Sequence, residues 1–203
     1  GDGVGASGHK FSSGSHTEGR IVGKMMAAYC MDHKDETVEF IENPEDLAKE
    51  IFMPMETWGK FSGYTTDPNI NPHYIRPAML QQRLQKIMDE YVGGVGTWYM
   101  TSKYMLEEGF YYLGLLKEDS YHMCAENLHE LLRAWENFHR ILAGEAHARH
   151  IHFREETRYP GYYYRGDHLG IDDENWKCFV NSTYDKESGE WDIFKREYHQ
   201  LVP

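Results

Sequence analysis

Leu128, Leu131, Trp135, Phe138 and Leu142 recur at intervals of 3, 4, 3 and 4 residues. An α-helix is the element that gathers such positions on one side, because residues three and four apart are neighbours on its surface. A helix of this kind draws most of its stability from burying that side, so it needs apolar partners. Two partner helices stand upstream. One opens near Pro77, carries Leu80, Leu84, Ile87, Met88 and Tyr91, and ends at Gly93-Gly94; the next runs from about Thr101 through Met105, Leu106, Phe110, Leu113 and Leu116. Proline suits the first helical position and glycine the position past the end. Three successive amphipathic helices predict a small bundle over residues 76–155.

The two ends read differently. Residues 1–15 hold five glycines and four serines, a composition for turns. Ser15-His16-Thr17-Glu18 then reads as a capping box, followed by an apolar helical face of Ile21, Val22, Met25, Met26 and Tyr29. Gly19 and Gly23 on that helix each cost about 1 kcal/mol against alanine, which predicts the close approach of another backbone. From Asp32 to Asn71 the periodicity weakens; Asn43-Pro44 predicts a short helix, and the rest reads as a connection lying on the surface. Beyond Phe153 an ordered loop passes Tyr159-Pro160-Gly161 and Asp172-Asp173-Glu174-Asn175-Trp176. Cys178-Phe179-Val180 and Trp191-Asp192-Ile193-Phe194, joined through Asp185 to Gly189, predict a closing β-hairpin. The fold class is therefore α+β, mainly α, with no internal repeat.

Composition excludes several functions. With 21 Lys+Arg against 33 Asp+Glu the formal charge is −12 over 203 residues, which opposes general nucleic-acid binding. No run approaches the ~18 apolar residues of a membrane span. Cys30, Cys124 and Cys178 are too few for a four-cysteine iron–sulfur or zinc site and fit reduced thiols in the cytoplasm. The chain starts at Gly1 without a signal peptide and inside a motif-like stretch, which predicts a fragment.

Gly3-Val4-Gly5-Ala6-Ser7-Gly8 matches the dinucleotide fingerprint as a pattern, but neither the preceding strand nor the immediate helix accompanies it. Ser12 to Ser15, a Gly/Ser loop entering a helix, suits an anionic oxygen or a polarised carbonyl, with His9 and Lys10 adding positive charge. An ordinary capped helix explains the same residues equally well. His139, His147, His150 and His152 have partly metal-like spacing, yet Arg149, Arg154 and Arg158 are interleaved with the local carboxylates, so no metal site is expected. Arg149, Arg154, Arg158 and Arg165 are candidates to anchor carboxylates of another domain or an anionic substrate.

The run from Gly1 to Arg20 resembles the alpha-subunit family of dissimilatory adenylylsulfate reductases. The resemblance continues in His129-Glu130-Leu131-Leu132-Arg133, in Trp135-Glu136-Asn137, and in Phe153-Arg154-Glu155-Glu156. It includes Arg158-Tyr159-Pro160-Gly161 and Trp176 through Ser182. The wider fumarate reductase and succinate dehydrogenase flavoprotein superfamily shares a fainter version, chiefly the glycine-rich loop with Arg165, Asp167 and Asp172 to Trp176. The resemblance implies the C-terminal part of a longer subunit: residues 1–35 would close an FAD-binding α/β domain and residues 36–75 would connect it to the bundle. Residues 156–203 would form a loop and hairpin cap.

By this resemblance the whole protein is an oxidoreductase that interconverts adenylylsulfate with sulfite and AMP through a flavin N5–sulfite adduct, in either direction. It implies non-covalent FAD and a heterodimeric beta subunit carrying two [4Fe–4S] clusters. Asp2, Ser12, Ser13, Gly14, Ser15 and His16 would bind the cofactor, and His9, Lys10 and Phe11 the substrate. The remaining catalytic residues would lie upstream of Gly1. A fumarate or succinate flavoprotein is the alternative, disfavoured by Lys10 where those enzymes carry arginine. A non-catalytic helical scaffold or interaction module is the other.

Overall fold

The computed structural model describes residues 12–37, 43–59, 65, 67–158 and 162–199. The chain divides into two compact units, residues 1–47 and 48–203.

The first unit holds helix α1, Ser12–Asp32. It starts a turn before the expected capping box, so Ser15 to Glu18 lie inside it. Ile21, Val22, Met25, Met26 and Tyr29 are exposed, and a Cβ added at Gly19 or Gly23 would meet nothing within 4 Å. The close backbone approach expected at those glycines is therefore not made among the described residues. Helix α2, Pro44–Trp58, begins with the expected proline but runs 15 residues and ends in the core of the second unit. Its last residue, Trp58, is fully buried: the indole N–H donates to the Ser120 carbonyl at 2.8 Å, and the ring packs against Trp135 and Phe138. The segment expected to be surface connection thus supplies a central core side chain. Tryptophan can be buried so deeply because its one polar atom has an acceptor.

The three expected helices form the body of the second unit: α3, Pro77–Tyr91; α4, Lys103–Ser120; and α5, Leu128–Phe153. Leu80 and Leu84 of α3 meet Leu106, Leu113 and Leu116 of α4 and Ile141 and Ile151 of α5 in one cluster. On α5 the deepest line is turned from the bulky stripe. Ala134, Asn137, Ile141, Gly144, Ala148 and Ile151 are buried, whereas Leu131, Trp135 and Phe138 pack from the flank and Leu128 is exposed. Small side chains on the innermost line let α3 come close: a Cβ on Gly144 would sit 3.1 Å from Met88 Sδ. Asn137, wholly buried, donates to the Pro77 carbonyl at 2.7 Å and ties α5 to the first turn of α3. A reciprocal cap starts α5. Asn127 Oδ1 accepts from the Glu130 N–H and the Glu130 carboxylate accepts from the Glu126 N–H.

Between α3 and α4 the chain makes a tight loop and a 3₁₀ turn, Val95–Thr97. Gly93 has φ +94°, and a Cβ on Gly94 or Gly96 would run into Asp89, whose carboxylate accepts from the Gly96 N–H at 2.9 Å. Trp98 and Tyr99 follow with φ of 54° and 62°. The left-handed region costs an ordinary residue about 1–2 kcal/mol, so two successive aromatic residues there are held by their surroundings. The Tyr99 N–H donates to the Gly94 carbonyl, and the Tyr99 carbonyl accepts from Tyr164. Strand β1, Met100–Thr101, then pairs in parallel with β2, Tyr164–Arg165. The hairpin is as expected but longer: β3, Cys178–Tyr184, pairs antiparallel with β4, Trp191–Glu197. Asp185 Oδ1 accepts two N–H groups of its turn, and Gly189 takes φ +75°.

Candidate functional site

His9, Lys10 and Phe11, expected at the substrate, and Asp2, expected at the flavin, lie outside the described residues. Of the other expected flavin contacts, Ser12 and Ser13 open α1, where only their backbone is described. Gly14, Ser15 and His16 follow in the helix, the last two exposed. The first turn of an α-helix has N–H groups without an intrahelical acceptor. In α1 these belong to Ser12, Ser13 and Gly14, whereas the Ser15 and His16 N–H groups fall within the helical ladder. No carboxylate stands in that turn to compete. The donor set and the positive end of the helix dipole fit an electron-rich oxygen such as a flavin carbonyl or a phosphate.

The arginines do not await an anion; they are paired inside the chain. Arg149 binds Glu145 one turn back. Arg165, about 1% exposed, sets its guanidinium beneath the end of α5. Its Nη1 donates to the carbonyls of Ile151, His152 and Arg154 at 2.6–3.0 Å, while Nε and Nη2 grip Asp167 in a fork at 2.8 and 2.9 Å. Asp167 also accepts from the Lys103 N–H at the start of α4. The cation thus meets the negative end of one helix and the carboxylate the positive end of another, an arrangement both dipoles favour. The Arg165 hydrogen bonds, assisted by that N–H, hold the Asp167 carboxyl well below the usual range.

Glu156 is completely buried and is the second centre. It accepts from Arg154 at 2.5 Å, from Arg158 at 2.6 and 2.9 Å, and from the Asp172 N–H at 3.0 Å. Burial pushes its pKa up, but the bonds from Arg158, Asp172 and Arg154 outweigh it and leave the carboxyl below its ordinary value. Arg154 donates onward to the Trp176 and Cys178 carbonyls, fixing the short helix α6, Asp173–Trp176, and the first strand of the hairpin to the end of α5. Lys195 of β4 covers the Trp176 ring from 3.6 Å.

The histidines disperse. His150 Nε2 meets Ser182 Oγ at 2.9 Å, and His152 packs edge-on against Phe110. His139 packs against Trp135. Burial first and the Arg154 cation second push the His150 pKa down. Among the described residues no three His, Cys, Asp or Glu side chains are grouped to hold a metal ion. An open groove of about 350 Å³ between α3 and α4 includes Arg83 and Lys86, but these pair with Asp119 and Glu90, leaving no net charge to draw in an anion.

Sequence reasoning missed three features. Arg165 and Asp167 stood two apart as a possible fork, without a sign that a helix end would lie between them. Glu156 sat among arginines that looked like ligands for something else. Trp58 lay in a weakly periodic stretch, and there its residue type was the available signal.

The fold and the sequence both have relatives. The architecture is that of the fumarate reductase and succinate dehydrogenase class: the E. coli quinol fumarate reductase superposes with a TM-score of 0.61 over 81% of this chain at 16% identity, which speaks for the fold alone. Within that class the likeness is to the alpha subunit of adenylylsulfate reductase, whose form in Megalodesulfovibrio gigas is 55% identical over 202 residues, all of this chain and 30% of that protein. The adenylylsulfate reductase of Archaeoglobus fulgidus superposes with a TM-score of 0.80 at 45% identity, covering 95% of this chain and 30% of that one. An adenosine-5-phosphosulfate reductase in complex with sulfite as a covalent adduct matches equally well. The chain spans about a third of the length of these relatives. No family model matches it.

Proposed function

We propose that this chain is part of a cytoplasmic, flavin-dependent oxidoreductase that interconverts adenylylsulfate with sulfite and AMP. The observation that carries the reading is 55% identity to an adenylylsulfate reductase alpha subunit along the entire chain. Bound FAD would supply the redox chemistry at sulfur. The residues of this chain would supply position and charge. The N–H groups of Ser12, Ser13 and Gly14 at the start of α1 would receive an electron-rich edge of the cofactor, with the exposed Ser15 and His16 offering side-chain contacts and Asp2 directed at its hydroxyl groups. His9 and Lys10 would neutralise the anionic substrate, and Phe11 would offer an aromatic face for adenine.

In this reading residues 1–35 end the FAD-binding domain, 36–75 connect, 76–155 form the helical bundle and 156–203 cap it. The network around Glu156 and Arg165 is then the fastener of the cap and carries no substrate. The partner would be an iron–sulfur beta subunit bearing the [4Fe–4S] clusters that three cysteines here cannot ligate. Kinetics of the full-length enzyme test the substrate residues. Lys10→Ala and Phe11→Ala raise KM for AMP in the sulfite-oxidising direction by about tenfold or more, as loss of an ionic or a stacking contact requires. Unchanged KM values in both variants, and in His9→Ala, remove these residues from the site.

A further inference from the structure

Side chains of α4 and α5 hold the hairpin. His150 Nε2 of α5 meets Ser182 Oγ of β3 at 2.9 Å, and Lys117 of α4 donates to the Tyr184 hydroxyl at 2.9 Å. Ser182 and Tyr184 share one face of the hairpin with Ile193, Trp191 and Lys195 across the ladder, because alternate residues of paired strands point the same way. Lys195 lies over the Trp176 ring, and the carboxylate on that face, Glu197, stands 80% exposed near His199, opposite Cys178 and away from Ser182. A proton on His150 would therefore meet cations. Arg154 follows it by one turn and His147 precedes it by three residues, spacings at which like charges oppose each other. Arg154 is fixed on the Trp176 and Cys178 carbonyls, and its counter-charge Glu156 is shared with Arg158. Glu145 of α5 is taken by Arg149, and Glu107 of α4 faces His152. The negative end of a helix ordinarily favours a protonated histidine. In α5 the Arg165 guanidinium already fills that end, on the Ile151, His152 and Arg154 carbonyls.

We infer that the hairpin is fastened by an acid-sensitive clasp: with His150 neutral, β3 and β4 lie bound to α5, and a proton on His150 loosens them while the helices stay packed. Burial first and the Arg154 cation second keep the His150 pKa below its ordinary value. The contribution of the neutral imidazole is then complete above the unfolded histidine value of about 6.5 and is lost as pH falls through the folded one. That window lies above the one in which carboxylates such as Glu156 and Asp167 titrate, so the two effects separate. The contacts lie within the second unit and are independent of the flavin reading.

Hydrogen exchange read by mass spectrometry tests the clasp on the full-length subunit in its native complex, between about pH 7.5 and 5.5. After correction for the intrinsic pH dependence of exchange, peptides covering 178–184 and 191–197 should lose protection about threefold or more on acidification, while those of α3 and α4 keep theirs. His150→Gln, which keeps an amide toward Ser182 and takes no proton, should remove the pH dependence. His147→Gln leaves the Ser182 contact in place and should reduce it. Equal hairpin protection at both ends of the range overturns the inference, as does tighter protection in acid, the mark of a carboxylate beside His150. So does a loss of wild-type size in both variants, or one shared by all the helices.

Discussion

Arg165 and Glu156 show how an ionic residue can look like a ligand-binding group and be structural. Each is buried with its counter-charge two residues away, and each also reaches hydrogen-bond partners 11 to 16 residues distant in the chain. Removing Arg165 leaves the Ile151, His152 and Arg154 carbonyls at the end of α5 and the partly exposed Asp167 carboxylate without their cationic donor. Arg165→Met in the full-length subunit is therefore expected to lose about 3–5 kcal/mol in denaturant unfolding; a loss below about 1 kcal/mol would contradict the clamp. The same pairs set a pH dependence. Asp167 and Glu156 have folded pKa values below their unfolded ones, so the folded protein binds fewer protons there. Their contribution is complete above the unfolded carboxyl range of about 4 and is lost as pH falls through the folded values. Unfolding free energy between about pH 5 and 2 should decline less steeply in Asp167→Asn than in wild type, and parallel slopes would exclude the effect. At this scale the sequence was least legible. Arg154, Arg158 and Arg165 were visible as a set, but their partners are chosen by where α5 ends and where β2 returns, which local pattern does not encode.

The elements were more legible, because periodicity and punctuation are local. Pro77, Gly93-Gly94 and the heptad-like apolar spacing placed α3, α4 and α5, and Asp185 to Gly189 placed the hairpin turn. Faces were harder. On α5 the bulky residues suggested the contact line, whereas helices approach most closely along small residues, so Ala134, Gly144 and Ala148 lie deepest. Ala148→Leu should overpack that line and cost about 1–3 kcal/mol, read as a lower unfolding midpoint with unchanged helix content. Trp58 was hidden because α2 contributes its C-terminal end to the core instead of a full stripe. Trp58→Ala should cost about 3–5 kcal/mol, and a loss near zero would show that Trp135 and Phe138 close over the space.

For the whole molecule, α1 and the bundle have different relations to their surroundings. The bundle buries its own apolar stripes, while α1 exposes six large apolar residues, Ile21, Val22, Met25, Met26, Tyr29 and Met31, beside two glycines where an added Cβ would meet nothing within 4 Å. That contrast fits a chain that spans about 30% of the length of the adenylylsulfate reductases it resembles. Likeness along the whole chain, and not a constellation of side chains assembled within it, is what connects the sequence to sulfur chemistry. The expected substrate residues His9, Lys10 and Phe11 precede the described helix, so their roles stand on motif resemblance. The decisive test is a sulfite titration of the native full-length flavoprotein with its partner, followed by absorption. The account predicts bleaching of the oxidised-flavin band by sulfite and electron transfer to an acceptor that requires AMP; a flavin band unchanged by sulfite would contradict it and favour the dicarboxylate relatives.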